Sequence, residues 1–375
     1  MPDSASSTTC GSVNPVKWIA LLGRQDMPTD GIADYCLFLA RGLAPQGVEL
    51  EQVRVPWAEI GWIGALRRLS RESVAWRGQW VLLQYTALSW SRRGFPFGAV
   101  AALSILRRRG VRCAVVFHEP NNQGASGLLG GLRCASQDWV IRRLYNAATK
   151  SIFTAPLETV TWLAKEEDKA AFIPIGANIP EREHRRTEPA PSTKVKAVIV
   201  FGVTGSADAA AREVNDISAV MLEACKALGK LRLVVVGRGA DEARELLEKA
   251  FRGGDVNVVV RGILPAEEIA REFVSADAML FVRGAITTRR GSAMAGIASG
   301  VPIVGYRDGS VGGPLEDAGV EWSLSHDRRS LTRGLIRVLS DPQRWMELHE
   351  RNLEVQKNYF SWGRIAERFR AELAG

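Results

Sequence analysis

Short apolar runs rich in β-branched residues recur along this chain, each followed by a turn and then by a stretch with helical spacing of its apolar positions. Continuous apolar runs of strand length belong to strands buried on both faces, and strands separated by helices pair in parallel. In the first half the runs predict strands at Val16 to Leu22, Val48 to Val55, Trp80 to Gln84, Arg112 to Phe117, Ser151 to Ala155 and Ala171 to Pro174. Helices are predicted over Tyr35 to Leu43, Phe97 to Arg109 and Leu132 to Ala147. Between Gly176 and Lys196 the composition shifts to Pro, Glu, Arg, Ser and Thr without an apolar period, which marks a linker. The pattern then restarts. Strands are predicted at Val195 to Phe201, Leu231 to Val236, Val256 to Val260, Ala278 to Val282 and Ile303 to Gly305, with helices over Glu242 to Phe251 and Ala293 to Ala298 and amphipathic helix from Arg328 to Ala374.

The fold class this predicts is α/β, with two Rossmann-like domains facing a cleft. A disordered tail is expected over 1–14, a first domain over 15–180, a linker over 181–194, a second domain over 195–360 and a C-terminal helix over 361–375. A length of 375 residues supports two such cores. Doubly wound sheets bind ligands beyond the carboxyl ends of their strands, so candidate functional residues are sought in the turns that follow strands.

Composition narrows the partners. With 46% hydrophobic and 24% charged residues the chain is of ordinary globular type, not a fibre or a tail. The formal charge of +8 favours anionic partners such as nucleotide phosphates, lipid diphosphates or the anionic face of a membrane. The arginines are scattered in small groups and form no block interleaved with aromatics, which argues against nucleic acid. Five distant cysteines without a CxxC, and no His at metal-ligand spacing, predict reduced thiols, a cytoplasmic protein and no metal. The first residues lack the charged and apolar regions of a secretory signal, and no apolar window reaches spanning length, so any membrane contact is expected to be peripheral.

Several turns carry candidate chemistry. Gly23 to Gly31 leads into a helix, where glycine beside a helix N-terminus lets backbone N–H groups approach a phosphate or a hydroxyl-rich ligand; Asp30 or Asp34 equally suits a helix cap. Phe117-His118-Glu119-Pro120 places an imidazole and a carboxylate at a strand's carboxyl end. Val236-Gly237-Arg238-Gly239 and Arg261-Gly262 end two further strands. Arg283 to Ser292 runs from a strand through the adjacent Arg289 and Arg290 to a Gly291-Ser292 helix opening, which reads either as a diphosphate cradle or as a solvated basic loop.

Taken in order, Gly23 to Tyr35, Phe117-His118-Glu119-Pro120, Val236-Gly237-Arg238-Gly239, Gly300-Val301-Pro302-Ile303-Val304, Gly312-Gly313-Pro314-Leu315-Glu316 and the terminal Phe360-Ser361-Trp362 resemble the group 1 (family 4) retaining glycosyltransferases of the GT-B fold, over nearly the whole chain. The resemblance implies a nucleotide-sugar donor on the second domain, a glycan or lipid-linked acceptor on the first, transfer with retention, no metal, and a last helix crossing back to the first domain. It also implies that the loop around Asp30 and Gly31 lies near donor phosphate and acceptor and that His118 lies near the donor sugar, so that His118, Glu119 beside it and Asp30 are the catalytic candidates. The charge and backbone donors of the turns themselves, and not the resemblance, add Gly202, Arg238, Arg289, Arg290, Gly291 and Ser292 to Gly31 as candidates around the donor phosphates. A role in polysaccharide or glycoconjugate synthesis follows from the resemblance. The chain departs from the family twice: Thr287 and Ala295 stand where the family carries a pair of glutamates, and Gly202 to Asp208 lacks the family's Arg and Lys after the first strand of the second domain. Two other readings are a sugar-nucleotide binder or partner subunit without transfer activity, and a nucleotide-sugar epimerase, which needs acid and base groups in the cleft.

Overall fold

The structure, a computed structural model, describes residues 15–122, 124, 127–164, 168–180, 187–191, 194–307, 311–324 and 327–374. The predicted tail and residues 181–186 and 192–193 of the predicted linker lie outside the described residues.

The first sheet contains β1 (Val16–Leu22), β2 (Val48–Arg54), β3 (Trp80–Tyr85), β4 (Arg112–Phe117), β5 (Lys150–Phe153) and β6 (Ala170–Phe172), in the order β2-β1-β3-β4-β5-β6, with every pair parallel. Its helices are α1 (Gly31–Leu43), α2 (Trp57–Glu72), α3 (Phe97–Arg108) and α4 (Gly127–Ala147). Successive side chains of a strand point to opposite faces. Ile19 and Leu21 of β1 accordingly join Leu69 of α2, Leu106 of α3 and Leu144 of α4 in one core layer. Trp18, Ala20 and Leu22 join Leu39 of α1 in the other.

The second sheet contains β7 (Lys196–Phe201), β8 (Leu231–Val236), β9 (Val256–Gly262), β10 (Ala278–Phe281), β11 (Ile303–Arg307) and β12 (Val320–Leu324), in the order β12-β11-β10-β7-β8-β9, again wholly parallel. Around it lie α5 (Ala207–Leu228), α6 (Arg244–Ala250), α7 (Ala266–Ser275), α8 (Gly291–Ala298), α9 (Arg328–Ser340) and α10 (Pro342–Val355). In each sheet the chain winds one way and then the other, so the order reverses once, between β1 and β3 and between β7 and β10. Those switch points open crevices at the carboxyl ends.

The last helix, α11 (Trp362–Leu373), crosses back to the first domain. Ile365, Ala366, Phe369 and Leu373 join the layer beneath α1, and each large apolar chain buried there contributes roughly 1.5–3 kcal/mol. Trp362 Nε1 donates to Ala177 O at 2.7 Å, and Trp80 Nε1 donates to Leu373 O at 2.8 Å. Gly42 permits the close crossing, since a Cβ there would lie 2.5 Å from Trp362 O.

The predicted strands and helices agree with the structure to within a few residues at their ends. The sequence pattern does not single out α2, α5, α7 or β12. In α2 the non-helical Gly61, at φ +71°, breaks the apolar period, and α5 follows a glycine loop that the sequence marks as a ligand turn.

Candidate functional site

The turns after β1, β3 and β4 face those after β7, β8 and β10 across a cleft that holds two adjoining cavities, of about 680 and about 580 Å³. Gly31, Arg238, Arg289, Arg290 and Gly291 line both and form their junction. The larger cavity takes its other walls mainly from the first domain, including Gly23, Thr86, Ser89, His118 and Glu119. The smaller is built mainly by the second, with Phe201, Ile263, Leu264 and Ile269 as an apolar wall.

The switch point of the second sheet sets Gly202, after β7, against Arg283, after β10. Gly202 has φ +84°, which favours glycine, and a Cβ there would lie 2.6 Å from Arg283 Nη1, so a larger residue would also displace the guanidinium. Behind it the buried Glu213 accepts from Thr204 N at 2.8 Å and from the Thr204 hydroxyl, fixing the loop. Burial pushes the Arg283 pKa down, Glu213 pulls it up, and the charges of Arg290 and Arg238 push it down again. Arg283 Nε is buried without an acceptor. Sequence reasoning missed this residue as a site candidate, although its place directly beyond an apolar strand was a usable signal.

Arg289 and Arg290, adjacent in sequence, have different roles in the fold. Arg289 Nη1 donates across the cleft to His118 O at 3.2 Å, and the neighbouring Thr288 hydroxyl donates to Thr154 O at 2.7 Å, so this loop ties the two domains together. Arg290 stands at the N-cap of α8, where the first N–H groups of Gly291 and Ser292 have no partner within the helix. Arg238 bridges to the first domain, with both Nη atoms 3.2 Å from Asp26 Oδ2 and Nη2 2.7 Å from Thr29 Oγ1. Guanidinium groups, helix-terminal N–H groups and glycine turns thus converge on one junction, the arrangement that binds phosphate oxygens.

On the first domain, Asp30 caps α1: Oδ1 accepts from Ala33 N at 3.1 Å, and Oδ2 accepts from Arg54 Nη2 at 2.7 Å. Both oxygens are engaged within the fold, which favours the capping role over the catalytic one. Gly31 opens the same helix at the junction. His118 is buried and lines the larger cavity, with Nε2 2.9 Å from Gln84 Oε1. Gln84 Nε2 donates to Leu82 O at 3.2 Å, so its carbonyl faces the ring, His118 Nε2 carries the proton and Nδ1 is an acceptor. Burial, followed by the Arg289 charge, pushes the His118 pKa down to about 3, and the imidazole is neutral at ordinary pH. Glu119 Oε2 accepts from Ala87 N at 3.3 Å. Thr287 lines the larger cavity and Ala295 the smaller, so neither family glutamate position supplies a carboxylate. Among the described residues no group of three His, Cys, Asp or Glu is arranged to hold a metal ion, and no helix is long and apolar enough to cross a membrane.

No model of a protein family matches the sequence, and no curated protein matches it. Solved structures do match in fold. HepE of Anabaena, in complex with UDP and glucose, is 11% identical, covers 96% of this chain and 100% of its own, and superposes with a TM-score of 0.65. Sucrose-phosphate synthase of Thermosynechococcus elongatus is 16% identical over 95% of this chain and 98% of its own, with a TM-score of 0.64. A glycosyltransferase of Rickettsia africae is 11% identical over 96% and 99%, with a TM-score of 0.65. At such identities the likeness speaks for architecture, and the architecture is the GT-B fold: two Rossmann-like domains facing a cleft, with the last helix returned to the first.

Proposed function

We propose that the protein is a glycosyltransferase that moves a sugar, with retention, from a nucleoside diphosphate sugar to a glycan or lipid-linked acceptor in glycoconjugate or polysaccharide synthesis on the cytoplasmic side. The observation that carries the reading is Arg283: a partly buried guanidinium, crowded by Arg290 and Arg238, with an unpartnered Nε, lining the smaller cavity beside the arginines of the junction. Such a cluster is costly without an anion and is relieved by one. The apolar wall of Ile263, Leu264 and Ile269 suits a nucleoside, the junction its diphosphate, and the polar larger cavity the sugar and the acceptor.

Breaking the glycosidic bond adds charge to the diphosphate, and preorganised guanidinium and N–H donors stabilise it as that charge develops. Retention through a covalent intermediate requires a free carboxylate nucleophile. Asp26 is paired with Arg238, Asp30 with Arg54, and Glu119 with a backbone N–H. The proposed route is therefore attack by the acceptor hydroxyl on the face the diphosphate leaves, with a phosphate oxygen taking the hydroxyl proton. His118, neutral and with Nδ1 as an acceptor, orients a sugar hydroxyl and serves neither as acid nor as nucleophile. The same neutrality tells against the epimerase reading, which needs a proton donor there.

The UDP found with HepE makes UDP-sugars the first donors to test, beside GDP-, ADP- and dTDP-sugars. A ligand at a hundred times its Kd stabilises the native state by about 2.7 kcal/mol, so thermal shift sorts the nucleotides, and release of the diphosphate on adding acceptor measures transfer. Absence of stabilisation by every nucleoside diphosphate sugar refutes the proposal. Thr287 and Ala295 favour a second reading, a sugar-nucleotide binder without turnover, which stabilisation with neither transfer nor hydrolysis would identify.

A further inference from the structure

The first domain carries a surface that the cleft chemistry does not use. Ile60 and Ile63 on α2 are 53% and 71% exposed, Phe97 at the start of α3 is 51% exposed, and Leu128, Leu132 and Trp139 on α4 are 91%, 62% and 53% exposed. These positions belong to one face. Trp62 of α2 covers the start of α3, where a Cβ at Gly98 would lie 1.9 Å from its ring, and the Phe97 and Trp139 rings are 5.8 Å apart. On α4, Leu128, Leu132 and Trp139 stand at helical spacings that place them along one stripe.

Charge is concentrated in the same segment. Residues 57–143 hold thirteen arginines, no lysine and four carboxylates, a formal +9 against +8 for the whole chain, so the remainder is slightly acidic. Arg67 and Arg71 continue the exposed stripe of α2, Arg92 and Arg93 are exposed just ahead of Phe97, and Arg142 and Arg143 follow Trp139 on α4. Of the four carboxylates, Glu72 is paired with Arg68, and Asp138 accepts from Asn122.

We propose that this face of α2, α3 and α4 docks on an anionic bilayer, its aliphatic and aromatic side chains entering the headgroup boundary and its arginines lying among the lipid phosphates. Exposed apolar side chains rimmed by arginine form the pattern of an interfacial anchor, whereas a protein partner has no need of so large an uncompensated positive charge. The loop from Thr86 to Pro96 joins this face to the cleft: Thr86, Leu88 and Ser89 line the larger cavity, and Trp90 stacks on Trp62 at 6.4 Å between ring centroids. Docking therefore brings the acceptor side of the cleft to the membrane. Only that last consequence rests on the proposed transfer activity; the docking itself does not.

The test is sedimentation of the full chain with vesicles of phosphatidylcholine alone and of phosphatidylcholine with phosphatidylglycerol, at low and high salt. The parent is expected to sediment with the anionic vesicles, less so at high salt, and to stay in solution with the neutral ones. Each arginine near the surface contributes roughly fivefold to partitioning, so Arg92→Gln with Arg93→Gln should weaken it by about 25-fold. Ile60→Ser with Ile63→Ser should weaken it comparably through lost apolar insertion. Arg329→Gln with Arg333→Gln, which removes the same charge from exposed positions of α9, should leave it unchanged. All of these positions are exposed, and circular dichroism verifies that each variant is folded. Failure of the parent to bind anionic vesicles overturns the proposal, as does equal weakening by the α9 variant. A concentration-dependent dimer that Ile60→Ser with Ile63→Ser dissociates also overturns it, by assigning the face to a second copy of the chain.

Discussion

Replacing Arg283 by Met should separate ligand binding from stability. The guanidinium lies against Gly202 at the second sheet's switch point, and a nucleoside diphosphate bound at the α8 N-terminus would take a charge-assisted hydrogen bond from it. Such a bond contributes about 1.5–3 kcal/mol, so UDP affinity should fall roughly tenfold to a hundredfold. Stability has the opposite balance. The unpartnered Nε costs about 1–3 kcal/mol of desolvation, and Arg290 and Arg238 add repulsion, while the change forfeits only the attraction of Glu213, whose carboxylate keeps its two bonds to Thr204. Met fills a similar volume without charge, so the folding free energy should hold within about 1 kcal/mol or rise. Titration calorimetry with UDP, with uridine as the phosphate-free control, reads the first effect, and urea unfolding reads the second. Unchanged UDP affinity refutes the phosphate assignment. Loss of uridine affinity together with stability shows instead that Arg283 supports the fold.

Arg290→Ala should lower UDP affinity and leave uridine affinity intact, whereas Arg289→Ala, which also breaks the bond to His118 O, should in addition loosen the domain contact, seen as greater protease sensitivity. Arg238→Ala should weaken UDP binding more than Asp26→Asn does, because the exposed pair itself contributes only about 0–1 kcal/mol; equal effects would confine Arg238 to the domain contact. His118 is neutral when folded, with a pKa of about 3, and titrates near 6.5 when unfolded, so the unfolded chain binds the extra proton between those values. Stability from this group is full above about 6.5 and falls by roughly 1.4 kcal/mol per pH unit below it. In His118→Gln that share of the acid-side slope should vanish, and an unchanged slope would place its cause elsewhere. Trp362→Ala, which empties a buried site between α11 and α1, should cost about 3–5 kcal/mol, measured by denaturant unfolding.

The apolar runs determined much of this protein by themselves. A strand buried on both faces must be written in continuous apolar residues, so Val16–Leu22, Arg112–Phe117 and Leu231–Val236 were legible with their ends, and the alternation of strand and helix sets a parallel sheet with its ligand turns at the carboxyl ends. His118, Gly31, Arg238, Arg289 and Arg290 were found by that rule, and all line the cleft. What each side chain does there depends on partners remote in sequence, which local pattern does not encode. Asp30 could be a cap or a ligand until Arg54 took its second oxygen. Arg289 turned out to reach a carbonyl on the other domain, and the glycine loop that lacks the family's cations receives one from a different strand. Gly202 and Arg283 are far apart in the chain and become neighbours only because the strand order reverses between β7 and β10. The docking face has the same origin: its apolar and basic residues are visible in the sequence, but only the packing of α2, α3 and α4 on the first sheet left them together on the outside.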